Sequence, residues 1–176
     1  MKTLKSILMI AVLLTGIQAS AQTDKATTTK LVNAQNFVFN ATTALPLANA
    51  EINAILSQMP GGQAGGIIHL GGSRYQLLVE KDSLSAYLPY FGRAYAPTMN
   101  SNDSGIKFNS TEFTYETKRK KKGNWIITIK PKNAQDAQTL TLNVSENGYA
   151  SLNVNSYNKQ SISFNGYISE PKQDKN

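Results

Sequence analysis

Four aromatic side chains and one arginine fall within the nine residues YLPYFGRAY, 87–95. Tyr87, Tyr90 and Tyr95 offer flat apolar faces with a polar tip, and Arg93 offers a planar cation that grips an anion. These four are the candidate ligand-binding residues. The segment has a second reading, in which a strand ends at Pro89, bends at Gly92 and lays its rings over an open end of a sheet, with Arg93 stacked on one of them. A second chemical signal is the run KRKKK at 118–122. Lys118, Lys120, Lys121 and Lys122 are candidates for contact with an anionic lipid or envelope polymer, at about 1 kcal/mol per basic residue near such a surface. The alternative is the solvated tip of a hairpin. Nucleic acid is not expected, because it needs aromatic platforms beside the charges and only Trp125 is close.

Other chemistries lack their parts. His69 is the only histidine and cysteine is absent, so imidazole and thiolate metal sites and cysteine nucleophiles are excluded. No serine sits in a G-x-S-x-G turn. GGQAGG at 61–66 lacks the spacing of a phosphate loop and reads as a flexible connector. Eleven acidic residues leave room for a carboxylate pair, but most fall at expected turns or strand ends; Glu80 and Asp82 across a turn at Lys81 are the nearest approach to one. No catalytic residue, metal or cofactor is assigned.

The amino terminus bounds the setting. Lys2 and Lys5 precede an apolar stretch from Ile7 to Ile17, and Ala19-Ser20-Ala21 ends it with small residues where a signal peptidase reads. The expectation is an export signal over residues 1–21 and a periplasmic or secreted protein without a cysteine-linked lipid. The stretch is too short to span a bilayer, so no transmembrane segment is expected in the mature chain. Setting aside Lys2 and Lys5 from the 18 basic residues leaves 16 against 11 acidic ones, a net charge of +5. The run at 118–122 equals that whole excess, so the charge is one spot rather than a broad basic face.

The elements that must hold these residues are mostly strands. Residues 22–29 read as a flexible arm, 30–170 as one β-rich domain and 171–176 as a frayed tail. Apolar residues at 47, 52, 55, 56 and 59 predict one helix near residues 47–59, ending before Pro60-Gly61. Strands are expected at 36–40, 66–70, 74–80, 83–88, 105–109, 112–120, 125–131, 138–145, 150–156 and 161–168. The later hairpins can be registered. A three-residue loop Lys121-Lys122-Gly123 places Arg119 opposite Trp125, Thr117 opposite Ile127 and Tyr115 opposite Ile129, whereas a two-residue loop mixes polar and apolar faces. Gly123 then takes the left-handed position. The same solution at Glu146-Asn147-Gly148 pairs Leu142 with Leu152, and a turn near Tyr157-Asn158-Lys159 pairs Leu152 with Phe164. The shared apolar face is the expected core, and Arg119 is expected over the Trp125 indole.

At YLPYFGRAY, GIKF (105–108), KKKGNWIITIK (120–130) and SISFNGYI (161–168) the chain resembles a family of exported Bacteroidota proteins classified only as a domain of unknown function. The resemblance implies a bacterial envelope setting and a single domain, and lends no active site. The fold expected is mainly β, an antiparallel meander curled into a barrel or sandwich. Three functions remain open: a non-enzymatic exported protein binding a small molecule or polymer near 87–95, a module contacting another envelope protein, or a hydrolase with an unrecognised carboxylate or serine site.

Overall fold

A computed structural model describes residues 23–47, 54, 58, 66–71, 74–95, 105–121, 123–134 and 137–171. One helix, α1 (Lys25–Ala34), precedes ten strands: β1 (Phe37–Pro46), β2 (Ile68–His69), β3 (Gln76–Val79), β4 (Leu84–Leu88), β5 (Ile106–Ser110), β6 (Phe113–Arg119), β7 (Trp125–Pro131), β8 (Thr139–Val144), β9 (Tyr149–Asn155) and β10 (Ile162–Ser169). Nine form one antiparallel sheet in the order β5-β4-β3-β1-β10-β9-β8-β7-β6, and β2 pairs with β1 beside β3. Followed across the sheet, the antiparallel pairings leave β5 and β6 running the same way. Only Thr111 and Glu112 separate them, so they are one long strand kinked in the middle, pairing first with β4 and then with β7. That shared strand curls the sheet into a nearly closed barrel. Ser110 Oγ, 2.8 Å from the Glu112 carbonyl, pins the kink.

The registers follow the alternation of side chains. Arg119 faces Trp125, Thr117 faces Ile127 and Tyr115 faces Ile129. Leu142 faces Leu152, which in turn faces Phe164. Gly123 and Gly148 sit at φ +86° and +81°, the left-handed geometry a three-residue hairpin loop demands. The apolar face fills the barrel: Phe37, Phe39, Leu77, Ile127, Ile129, Leu142, Leu152 and Phe164 are fully buried. β1 runs beyond the expected 36–40 to Pro46 because a bulge at Thr42 re-phases it, which keeps Ala44 inside after Phe37, Phe39 and Ala41.

Two plugs close the barrel ends. α1 lies where a flexible arm to residue 29 was expected, and this is a correction. Asp24 caps it, accepting from the Thr27 amide at 2.8 Å, and Thr28, Leu31 and Val32 form its buried face. Threonine reads as polar in sequence, yet Thr28 turns inward with Leu31 and Val32, and this packing outweighs the weak helix propensity of a threonine run. The opposite end is covered by Tyr90 and Phe91, which pack against the core after β4. Of the helix expected near 47–59, Ala54 is helical and Leu47 is not; its other residues except Gln58 lie outside the described residues, as do the expected export signal and all of the tail except Pro171. Among the described residues no helix is long and apolar enough to cross a membrane.

Candidate functional site

The structure divides the four residues of the 87–95 segment. Tyr90 turns inward: its hydroxyl lies 2.7 Å from the Arg93 carbonyl and 2.9 Å from the Gln160 carbonyl. Burial pushes this phenol up to about 12, against the lowering effect of a Gln160 backbone hydrogen bond. Lys159 Nζ stands 5.4 Å above the Tyr90 ring and donates to the Gly105 carbonyl at 2.9 Å, its side chain buried. The backbone at 93–95 runs beside the β9–β10 turn, with Gln160 N donating to Arg93 O and Tyr95 N to Asn158 O. Arg93 and Tyr95 are exposed on this rim. This cluster holds the lower end of the barrel shut.

Tyr87 belongs elsewhere. Leu84, Ala86 and Leu88 of β4 point inward, so Tyr87 points out, half exposed, stacked on Tyr75 at 5.7 Å with Lys107 Nζ 5.4 Å from its ring centre. Cross-strand pairing continues this position around the barrel. Lys107 of β5 is opposite Tyr87, Tyr87 opposite Gln76 of β3, and Gln76 opposite Asn40 of β1. Asn40 is opposite Tyr167 of β10, and Tyr167 opposite Tyr149 of β9. Six adjacent strands thus present Lys107, Tyr87, Gln76, Asn40, Tyr167 and Tyr149 in one outward row. Gln76, Asn40 and Tyr167 line an open groove of about 1110 Å³, walled in part by Tyr75, Arg74 and Thr27. Asn40 is held by its amide, which donates to Ser169 Oγ at 2.9 Å and to the Val38 carbonyl at 3.3 Å.

Tyr75, Gln76, Asn40, Tyr149 and Tyr167 were not singled out from sequence. Gln76, Asn40, Tyr149 and Tyr167 each occupy an outward position of a recognisable strand, and Tyr75 precedes β3 and packs partly against the core. What could not be read was that β1 lies between β3 and β10, which is what joins two separate polar faces into one row.

The basic run sits at the β6–β7 hairpin. Lys118, Lys120 and Lys121 are exposed, and Lys122 lies outside the described residues. The Arg119 guanidinium is 5.2 Å from the Trp125 ring centre and 3.6 Å from Glu146 Oε1, which also pairs with Lys25 Nζ at 2.8 Å. The hydrogen bond from Lys25, with the charges of Lys25 and Arg119, holds the Glu146 carboxyl below its ordinary range. Asp24 is likewise lowered, first by the Thr27 amide. Lowering is the direction of ion pairing and capping, opposite to that of a general acid. Ser83 Oγ donates to Glu80 Oε2, and Asp82 is exposed, as solvated turn residues are. His69 is exposed, and no group of three or more metal-ligating side chains occurs among the described residues.

A family model described as a domain of unknown function, DUF4251, matches residues 19–168. The chain belongs to the DUF4251 family. A crystal structure of a DUF4251 family protein from Bacteroides eggerthii shares the fold at a TM-score of 0.53, with 12% identity over 83% of this chain and 87% of that one. At that identity the likeness concerns the fold alone. No curated protein matches the chain. The motifs that carry the DUF4251 resemblance have structural work in this fold: Tyr90 and Gly105 in the lower plug, Gly123 in the β6–β7 turn, and Gly166 against the β1 backbone.

Proposed function

We propose that this DUF4251 protein is a non-enzymatic exported binding protein of the bacterial envelope, taking a ligand in the open groove on the outer face of β3, β1 and β10, beside Tyr87 of β4. The observation that supports this reading is the groove at the middle of the outward row. The interior is filled by side chains, so a ligand is taken on the outer surface. Strands hold the row in place before a ligand arrives, which lowers the ordering cost of binding. The exported setting comes from the amino-terminal pattern and from the Bacteroidota resemblance.

A ligand that binds only the folded protein raises its melting temperature. Envelope fractions separated into polysaccharide, peptidoglycan fragments and peptides are added to the protein, and the melting midpoint is read. At least one fraction is expected to raise it, and Tyr87→Ala with Gln76→Ala is expected to abolish the rise. A rise that survives both substitutions, or no rise with any fraction, overturns the reading.

A further inference from the structure

We infer that the groove takes a short peptide with free termini, lying lengthwise along β3, β1 and β10; this rests on the binding reading above and adds the ligand's chemical class. The first argument is the order of surface types along the groove. Leu77 and Val79 are buried, so Gln76, Leu78 and then Glu80 face outward. Leu78 is opposite Val38, Val38 is opposite Ser169, and Glu170 comes next, so Glu80 and Glu170 line the same end of the groove. Beneath them lie Leu78 and Val38, then Gln76 and Asn40, and Arg74 lines the far end. The groove thus runs from two carboxylates, over an apolar step and a carboxamide step, to a guanidinium. Ser83 Oγ fixes one carboxylate by donating to Glu80 Oε2. Among the described residues Arg74 has no ion-pair partner, unlike Arg119 with Glu146.

A peptide carries the complement of each step in the same order. Its ammonium meets Glu80 and Glu170, its first side chains cover Leu78 and Val38, its amides meet Gln76 and Asn40, and its carboxylate meets the planar fork of Arg74. Because Ser169 Oγ and the Val38 carbonyl take the Asn40 amide hydrogens, Asn40 Oδ1 is turned to accept from a peptide N–H. Arg74 and Glu80 are six residues apart in the chain, about 20 Å at strand spacing. That span fits an extended peptide of about five residues whose ends are reached by two long side chains. Charge separates this class from its rivals. A nucleic acid or acidic polymer needs a continuous cationic track, and here it meets two carboxylates. A polyamine is repelled by Arg74, and a neutral chain leaves the charges at both ends without a partner. Addition of the peptide as a further strand needs a free backbone edge. β3, β1 and β10 are each paired on both sides, so side chains alone hold the ligand.

Equilibrium dialysis tests this, with a pool of pentapeptides that have free termini and Leu, Val, Ile or Phe at the first two positions. Mass spectrometry identifies the retained members, which are then remade with an acetylated amino end or an amidated carboxyl end. Some members of the pool are expected to be retained. Amidation and Arg74→Gln are each expected to weaken binding about fivefold, the scale of one exposed ion pair, and together to weaken it no further than either alone. Acetylation and the double variant Glu80→Gln with Glu170→Gln are expected to behave as a second such set. Arg74 and Glu170 are exposed and Glu80→Gln keeps an acceptor for Ser83, and circular dichroism verifies the fold. Retention that is indifferent to capping and to the variants overturns the placement of the termini and with it this inference. No retained peptide, while a polysaccharide or peptidoglycan fraction still raises the melting midpoint through Tyr87 and Gln76, overturns the peptide class and keeps the groove reading. Neither a retained peptide nor a fraction that raises the midpoint overturns both this inference and the reading beneath it.

Discussion

Tyr90 shows how a residue that looks like a ligand contact becomes part of the frame. Its ring meets the core and Lys159, and its hydroxyl faces two backbone carbonyls. Replacing it with phenylalanine keeps the ring and leaves those carbonyls short of a donor, a loss of about 1 kcal/mol at a half-buried site. The pH dependence identifies the cause. A phenol raised from 10 to about 12 in the folded state contributes stability that is full below pH 10 and lost as pH rises through about 12. Urea midpoints for the protein and Tyr90→Phe are therefore expected to keep their difference below pH 10; above it the protein is expected to lose that margin and then fall below Tyr90→Phe, with other titrations cancelling in the difference. A gap that stays constant across that range would mean that the Tyr90 phenol titrates alike in the folded and unfolded chain, and would remove the burial of its hydroxyl from the account. From sequence, both the plug and the pocket reading of this segment fitted Tyr90. Composition cannot choose between them, because the deciding partners, Gln160 and Lys159, lie about 70 residues away.

At the scale of elements, hairpins were legible and long-range pairings were not. Trp125 to Phe164 form successive strands whose turns and alternation specify register locally, and each of those pairings holds. The β1–β10 pairing spans most of the chain and has no local signal. It depends on Gly166, which lies under the Asn40 carbonyl and Ala41 Cα, where a Cβ would overlap the β1 backbone next to the Thr42 bulge. Gly166→Ala is expected to destabilise the fold by about 1–3 kcal/mol. In a domain of this size that lowers the melting midpoint by roughly 2–4 °C per kcal/mol. Because the same contact seats Asn40, a calorimetric scan with an unchanged midpoint would remove Gly166 from both the fold argument and the shaping of the groove floor. α1 escaped notice for a related reason: its buried face is completed by Thr28, and only packing against the barrel end distinguishes that threonine from its exposed neighbours.

For the molecule as a whole, the open question in any nearly closed sheet is what guards its last edges. Among the described residues β5 and β6 are the two ends of the strand order, so each has one edge without a partner strand. An unpaired edge is a template for another chain, and lysine on an edge strand opposes that approach by charge and by the cost of stripping its water. Lys118 lies on the outer face of β6 and Lys120 follows its last residue, both exposed. Arg119, between them, is turned to the Trp125 ring and Glu146. The basic run is thus divided between strand register and edge protection. Replacing Lys118 and Lys120 together with threonine, which suits a strand but carries no charge, is expected to leave the melting midpoint nearly unchanged and to increase self-association, read by light scattering as protein concentration rises. Added salt, by screening the lysines, is expected to move the unaltered protein in the same direction. If the double variant stays monomeric at every concentration, kinking and twist at the β5–β6 strand protect the edge without charge, and the lysines remain free for an anionic envelope surface.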